Sequence, residues 1–322
     1  MSETPSNRNT GRKYRFVLIF VIALTAFSSA VQEWRQVVTI TQQVGEFISV
    51  VTNAVVPAAQ ARTPLRALSC SINADNPEQQ TSEEFRWNGT LPAGMSIELR
   101  GVNGNIDAQP ASGNQIEVVA HKRSRRTDVS AVLIKVVEHS GGVTICAQYP
   151  TEDGSYTSCG PEETSKSSGR KSDVRTRDIS VDFQVLVPQG VNFEARTING
   201  DVTARSLMSN VVLRTINGSI EVTTSGYADA TSINGSITAK LGNSNWTGPL
   251  NFPTINGAIE VDMPAGLSTD IEAQTLNGTI HSDFPLALEA SKNAKSIRGK
   301  IGSGGRSLIL KTVNGGINLK MS

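Results

Sequence analysis

The apolar residues of this chain follow one short phrase that recurs along its second half. Each copy has a Ser or Thr, an aliphatic residue, usually Asn-Gly, any residue, and a second aliphatic residue. Seven copies begin between Thr197 and Thr312, and their glycines are 16 to 22 residues apart. An eighth, GVNGNI, begins at Gly101. A fixed phrase at this spacing indicates a repeat architecture.

The positions around each phrase predict short strands that meet at a corner. If the first aliphatic is position 0, apolar residues recur at −5, −3, 0, +4 and +6. In the second copy these are Val211, Leu213, Ile216, Ile220 and Val222. A period of two within each run is typical of a strand, and the phase changes between −3 and 0 and again between 0 and +4. The pattern therefore predicts an all-β solenoid of short coils.

Asn-Gly between aliphatic segments also favours a two-residue hairpin. In such a hairpin Ile216 and Ile220 would lie on opposite faces, so no single apolar face would form. A β-sandwich or roll built of hairpins is the alternative fold. The solenoid predicts parallel, in-register stacking with Asn217, Asn234 and Asn256 in one column.

The Asn and Gly residues of the phrase are the candidate structural sites. We expect the glycines to supply a positive φ, and the asparagines to tolerate it or bond their own backbone. The Ser and Thr residues and the Asn residues should form two ladders in which like side chains hydrogen-bond one another along the axis, the second interrupted at Arg298. The corner residues are Asn199, Gly200, Asn217, Gly218, Asn234, Gly235, Asn256, Gly257, Asn277, Gly278, Gly299, Asn314 and Gly315.

The N-terminal region has the pattern of an export or anchor segment. Arg12, Lys13 and Arg15 precede an apolar run at 16–31, which predicts a cytoplasmic tail and a transmembrane or signal segment over 1–35. The basic flank places the rest of the chain outside the cytoplasm. The repeat domain is then membrane-tethered in the periplasm or at the cell surface, or secreted if cleavage follows Ala30.

The rest of the chain divides into a connector and one repeat domain. Residues 36–84 predict a stalk helix or a linker, and residues 85–322 the solenoid. Longer strands and a polar loop at about 115–187 predict an insertion between the eighth, outlying phrase and the other seven.

Composition is consistent with a β-rich, extracytoplasmic protein and gives no reason to expect nucleic acid or strongly acidic partners. The 322 residues are 38% hydrophobic, include 28 Gly and carry a formal net charge of +1. The basic run His121–Arg126 is interpreted as a solvated strand end, with nucleic-acid or anionic-lipid binding as the alternative. The partners expected are a membrane, through the N-terminal segment, and a glycan or envelope protein.

The sequence offers no converging catalytic, metal or cofactor residues, so no cofactor is expected. The three histidines, His121, His139 and His281, are not at metal-ligand spacing. Glu221 and Glu260 fall on one outward row, two coils or about 9.6 Å apart at about 4.8 Å per coil. That lies at the edge of the separation used by inverting glycosidases. Solvated surface carboxylates explain them better, and a carbohydrate-active lyase or hydrolase is the alternative function.

The cysteines predict one disulfide. Cys146 and Cys159 flank a short loop and would pair in an oxidising compartment, which leaves Cys70 over.

The serial phrase resembles the bacterial putative-adhesin proteins of β-strand repeats. Members have a strand that starts with Pro-x-Gly and is followed by T-x-N-G-x-I coils, as in VPQGVNFEARTINGDV and MPAGLSTDIEAQTLNGTI of this chain. The resemblance covers roughly residues 85–321. It implies a membrane-tethered or secreted solenoid that acts as a non-catalytic, adhesin-like interaction module, with a ligand that the sequence does not name.

Overall fold

The computed structural model describes residues 81–160, 176–242, 248–285, 287–293 and 295–322, with 287–293 described by backbone alone. The predicted membrane or signal segment and nearly all of the predicted linker lie outside these ranges. In the part of the chain that is described, no helix has the length and apolar content for a membrane span.

The described chain is built from strands and one short 3-10 turn at Val129–Ala131. The strands are β1 (Thr81–Gly89), β2 (Ser96–Arg100), β3 (Ile106–Pro110), β4 (Ile116–Ser124), β5 (Leu133–His139), β6 (Gly142–Gln148), β7 (Ser180–Val187), β8 (Asn192–Arg196), β9 (Val202–Leu207), β10 (Val211–Arg214), β11 (Ile220–Thr224), β12 (Ala228–Thr231), β13 (Ile237–Leu241), β14 (Leu250–Pro253), β15 (Ile259–Met263), β16 (Thr269–Asn277), β17 (Ile280–Ser282), β18 (Ala287–Asn293), β19 (Ser296–Ile301), β20 (Arg306–Asn314) and β21 (Ile317–Met321).

These strands form two large, mostly parallel sheets. The first has the order β1-β4-β7-β3-β9-β11-β13-β15-β21-β17, and the second β18-β19-β16-β20-β14-β12-β10-β8-β2-β6-β5. Antiparallel pairs join β1 to β4, β4 to β7, β5 to β6, β16 to β19 and β18 to β19. Each repeat except the sixth gives one strand to each sheet and turns between them at its Asn-Gly. The parallel coils expected from the phase change are thus confirmed, and the hairpin alternative is wrong.

Equivalent aliphatic residues stack along both sheets. In the first sheet Ile220 lies beside Ile237, which lies beside Ile259, and Ile259 lies beside Ile317. All four are buried, and the inward residues of both sheets form one continuous apolar core. Because the side-chain period of a strand is two, this register leaves the intervening polar residues on the outer faces.

At the corner, the residue that points inward is not the one predicted: the Ser or Thr at position −1 is buried, rather than the aliphatic residue at position 0. Thr254 is 1% exposed, whereas the next residue, Ile255, is only half-buried; at the equivalent place Thr275 is buried and Leu276 is 54% exposed. The strand alternation therefore runs through −5, −3 and −1, and a hydroxyl side chain takes the last inward position. The first aliphatic lies on the corner itself rather than in the core, although Ile216 is buried there.

Each buried Ser or Thr hydroxyl of the corner phrases donates a hydrogen bond to a backbone carbonyl of the neighbouring coil rather than to another hydroxyl. Thr254 Oγ1 donates to the carbonyl oxygen of Gly235 at 2.9 Å, and Thr215 Oγ1 donates to that of Gly200 at 2.9 Å. The same bond recurs from Thr197, Ser232, Thr275 and Thr312. The expected mutual bonding of the Ser and Thr ladder is thus corrected. A hydroxyl is suited to this buried place because it satisfies a backbone acceptor there.

The asparagine side chains form one continuous column of amide hydrogen bonds. Asn217 Nδ2 donates to Asn199 Oδ1 at 2.7 Å, and Asn234 Nδ2 donates to Asn217 Oδ1 at 2.8 Å. In spatial order the column is Asn103, Asn199, Asn217, Asn234, Asn256, Asn314 and Asn277.

The corner glycines serve close packing rather than a left-handed backbone. Among the phrase glycines in the described part of the chain, only Gly104 has a positive φ, at 128°. A Cβ placed on Gly235 would lie 1.9 Å from the carbonyl oxygen of Gly218, and one on Gly257 would lie 2.1 Å from that of Gly235. Glycine is required because the neighbouring coil's backbone occupies the space of a side chain.

The sixth phrase, SIRGKI, is not a corner. Its residues form β19, where Gly299 pairs antiparallel with Ile271 on one side and with Leu288 on the other. The assignment of Gly299 to a corner is therefore wrong, and the missing Asn at Arg298 does not interrupt the column. The two aliphatic residues of this phrase, Ile297 and Ile301, are four residues apart. That spacing keeps a period of two, so it fits one continuous strand as well as it fits two strands joined by a corner.

Candidate binding face

The outward row of the first sheet does not bring its two glutamates together. Glu221 and Glu260 both pair with Thr238, which separates them by two strand spacings. Arg205 lies 3.4 Å from Glu221 and 3.0 Å from Asp107, and Lys320 Nζ lies 2.9 Å from Glu260. Each carboxylate thus has its own surface cation. Position +5 of the phrase also places Thr203, His281 and Asn318 on this row, whereas in the sixth phrase that position is Gly302, which lies in the turn after β19.

The outer face of the second sheet carries closely spaced charged and polar side chains. Positions −4 and −2 of each phrase point outward there. Position −2 places Arg100 beside Arg196, and Arg196 beside Arg214. Position −4 places Asp229 beside Asn251. The sequence predicts weak binding along an outward row of seven polar residues, and six of them lie on these rows: Glu194, Arg196, Arg214, Glu272, Gln274 and Lys311. The seventh, Lys295, directly precedes β19.

Four side chains near the middle of this face form what we call the Asp229 cluster: Arg214, Tyr227, Asp229 and Asn251. The Tyr227 hydroxyl lies 3.4 Å from Asp229 Oδ2 and donates to it. Asn251 also hydrogen-bonds the Asp229 carboxylate, and the Arg214 guanidinium is close enough to attract it. The cluster combines an aromatic ring with planar polar groups that donate and accept hydrogen bonds.

Burial controls the ionisation of this cluster. Burial raises the pKa of Asp229, although the Arg214 charge and the bonds from Asn251 and Tyr227 act in the opposite direction. Burial, together with the nearby Asp229 charge, raises the pKa of Tyr227 to about 12. Tyr227 is therefore a neutral hydroxyl donor at physiological pH.

The raised pKa of Asp229 predicts a specific pH dependence of stability. The folded state holds the Asp229 proton more tightly than the unfolded state, so this residue's contribution to stability falls as pH rises from about the unfolded pKa through the folded pKa. Asp229→Asn should therefore gain free energy of unfolding relative to the parent as pH rises from 3 to 7. Urea denaturation at several pH values measures this. A difference between the two proteins that does not vary with pH would contradict it.

A second, buried ionic group lies beside the Asp229 cluster. Glu98 is 6% exposed, and its Oε1 accepts a hydrogen bond from Arg100 Nε at 2.7 Å. Arg196 Nε is 3.3 Å from the same oxygen, an ion-pair distance without hydrogen-bond alignment. Thr144 Oγ1 donates to Glu98 Oε2 at 3.0 Å and lies 3.1 Å from His139 Nε2. This network fixes the hairpin of β5 and β6 to the coils.

Cys146 and Cys159 are joined in a disulfide, with their Cα atoms 5.8 Å apart. Cys146 lies on β6 directly beside Arg100 of β2. The disulfide therefore ties the segment after β6 to the end of the second sheet. Cys70 lies outside the described residues.

The basic run on β4 is mostly held in local ion pairs. Lys122 is buried, lies 2.8 Å from Glu83 and donates to the carbonyl of Val132, while Arg123 pairs with Asp182. Asp178 accepts bonds from Ser124, Arg126 and Thr127 and fixes the turn after the strand. The Thr127 hydroxyl in particular lowers the pKa of the Asp178 carboxyl. These contacts explain most of the run as structural, and Arg123, Arg125 and Arg126 line an open pocket of about 420 Å³.

Sequence reasoning missed Tyr227, Asp229, Asn251, Glu98 and Asp178 as residues of interest. The signal for three of them was present, because Glu98, Asp229 and Asn251 all occupy position −4 of a phrase. In the described part of the chain no group of three or more His, Cys, Asp or Glu side chains is arranged to hold a metal ion.

Comparison with known families decides what kind of protein this is. The family model described as Toastrack DUF4097 matches residues 90–320, which is most of the chain. The chain belongs to the Toastrack DUF4097 family. The resemblance found from the serial T-x-N-G-x-I phrase is thereby confirmed. The Toastrack domain contains all the coils described above.

Two solved structures illustrate the likeness. A putative cell adhesion protein from Clostridium sporogenes ATCC 15579 aligns with a TM-score of 0.40 and 9% identity, over 75% of this chain and 100% of that chain. A putative adhesin from Bacteroides fragilis NCTC 9343 aligns with a TM-score of 0.29 and 10% identity, over 74% of this chain and 97% of that chain. No curated protein sequence matches this Toastrack chain.

Proposed function

We propose that this protein is a non-catalytic interaction module of the bacterial envelope, which holds an extended glycan along the outer face of the second sheet. The observation that carries the proposal is the Asp229 cluster, in which an aromatic ring, a carboxylate, an amide and a guanidinium lie side by side on one open face. Such planar polar groups match the hydroxyl groups of a sugar, and an aromatic ring packs against its apolar face.

The shape of the face supports binding of a polymer rather than a small ligand. Adjacent coils repeat the outward positions at one strand spacing, so successive sugar units would meet a row of side chains, among them Arg100, Arg196 and Arg214 at position −2. Many weak contacts along one chain add up to useful affinity without a deep pocket. The proposal assigns an adhesin-like role on this basis rather than on the names of the structural relatives.

The location that fits this role is outside the cytoplasm. The Cys146–Cys159 disulfide supports an oxidising compartment. The apolar run at residues 16–31 supports export, with either tethering to the membrane or release after Ala30.

The test is binding and turnover on one panel of immobilised neutral polysaccharides, uronates and peptidoglycan. We expect the protein to bind at least one member without releasing product, and Tyr227→Ala to weaken that binding about tenfold, the loss of one stacking contact and its hydrogen bond. Thr238→Ala, on the other sheet, is the matched control and should bind normally. Product release that disappears in Glu221→Gln or Glu260→Gln would instead establish the carbohydrate-active enzyme. Binding that is equal in Tyr227→Ala and the parent would place the ligand elsewhere.

A further inference from the structure

The coils are not stacked in the order in which the chain makes them. The coil of β14 and β15 is followed in sequence by that of β16 and β17, but these two coils are not neighbours. β20 lies between β14 and β16 in the second sheet, and β21 lies between β15 and β17 in the first. The C-terminal segment 306–321 therefore fills a slot between two coils that precede it in the chain.

The slot is specific for a segment with the repeat phrase. Asn314 bonds Asn256 on one side and receives a bond from Asn277 on the other, each through side-chain amides. Thr312 Oγ1 donates to the carbonyl oxygen of Gly257, and Thr275 Oγ1 donates to that of Gly315. The inserted segment also buries Leu308, Leu310, Ile317 and Leu319 in the core. An occupant must supply all these groups in this register.

The connection into the slot is short and rich in glycine. Residues 302–305, GSGG, cross the start of β16, because both Ile301 and Arg306 pair with Thr269. Gly302, Gly304 and Gly305 have φ values of 58°, 72° and 119°, a region open to glycine at little cost. If extended, the five Cα-to-Cα steps from Ile301 to Arg306 span roughly 17 Å. The connection can therefore act as a hinge that carries the segment away from its own slot.

We infer that two copies of this chain exchange their C-terminal segments, so that residues 306–321 of one copy fill the slot of the other. The occupant is a second copy because the slot accepts the phrase of this segment residue by residue, and a second copy supplies the same Thr312, Asn314 and Gly315. Exchange preserves every contact of the segment and changes only the hinge, which is the usual condition for domain swapping. The inference does not depend on glycan binding.

Cysteine pairs across the slot test the exchange in the full chain. Gln274 and Lys311 are register partners on the outer face of the second sheet, at a spacing suited to a disulfide. In a Cys70→Ser background, one protein carries Gln274→Cys and the other carries Lys311→Cys. A disulfide between positions 274 and 311 then forms only between chains. A chain carrying both substitutions shows that the two cysteines react when adjacent.

Mixed single variants should give the 274–311 heterodimer at least about tenfold above a mixture of Lys240→Cys with Lys311→Cys, because adjacency raises effective concentration to the millimolar range. The yield should increase with incubation under mildly destabilising urea, which opens the slot. Mass spectrometry of the linked peptides identifies the bond. A 274–311 yield equal to that of the Lys240 mixture, under conditions in which the double variant closes its own disulfide, would overturn the exchange.

Discussion

Gly235→Val should destabilise the repeat domain by about 3 kcal/mol or more, the upper end of the usual cost of forcing a side chain into occupied space. A Cβ at this position would lie 1.9 Å from the carbonyl oxygen of Gly218 and 2.4 Å from its carbon. The two coils would have to move apart there. That movement breaks the backbone hydrogen bond from Gly218 N to Asn234 O and the side-chain hydrogen bond from Asn234 to Asn217.

Gly266→Ala is the control for Gly235→Val. A Cβ on Gly266 meets nothing within 4 Å, and its φ lies outside the left-handed region. We expect a change in melting temperature near zero for this variant and a large decrease for Gly235→Val. A Gly235→Val protein that melts with the parent would show that the coils are more widely spaced at this corner than described.

The second large effect is expected at Glu98. Glu98→Ala removes the carboxylate that lies between Arg100 and Arg196, and leaves two largely buried guanidinium groups close together without it. Removal of one partner from a buried ionic group costs about 3–5 kcal/mol, and we expect a loss in this range in urea denaturation. The matched control is Glu221→Ala, whose carboxylate contacts Arg205 at the surface. That variant should lose less than about 1 kcal/mol. Equal losses at the two positions would contradict the structural role of Glu98.

The phrase predicted the local structure well because each of its signals acts over a few residues. Period two within the strands and the change of phase at Asn-Gly were enough to predict parallel coils and the asparagine column. The interior of the corner was predicted less well. Hydropathy favours Ile255 over Thr254 for burial, but the hydroxyl is needed to satisfy the Gly235 carbonyl, and that acceptor belongs to a different coil.

The order of the coils could not be predicted because the phrases are nearly interchangeable. Asn256 forms side-chain hydrogen bonds of the same length, 2.7 Å, with Asn314, 58 residues later, and with Asn234, 22 residues earlier. Nothing local distinguishes Asn277 from Asn314 as its neighbour. The Asp229 cluster was missed for a related reason, since Arg214, Asp229 and Asn251 come from three consecutive repeats and become one site only when the register between strands is known.

The asparagine column has a direction. Every Nδ2 donates toward the Asn103 end, where Asn103 Nδ2 itself donates to the carbonyl oxygen of Arg177, and Asn277 Oδ1 is the terminal acceptor at the opposite end. Aligned amides in a chain polarise one another, so the column behaves as a dipole that runs the length of the coils. The two ends of the repeat domain are therefore electrically unlike. Insertion or deletion of a whole coil would preserve this polarity, whereas a coil that entered in the reverse orientation would place two donors or two acceptors face to face.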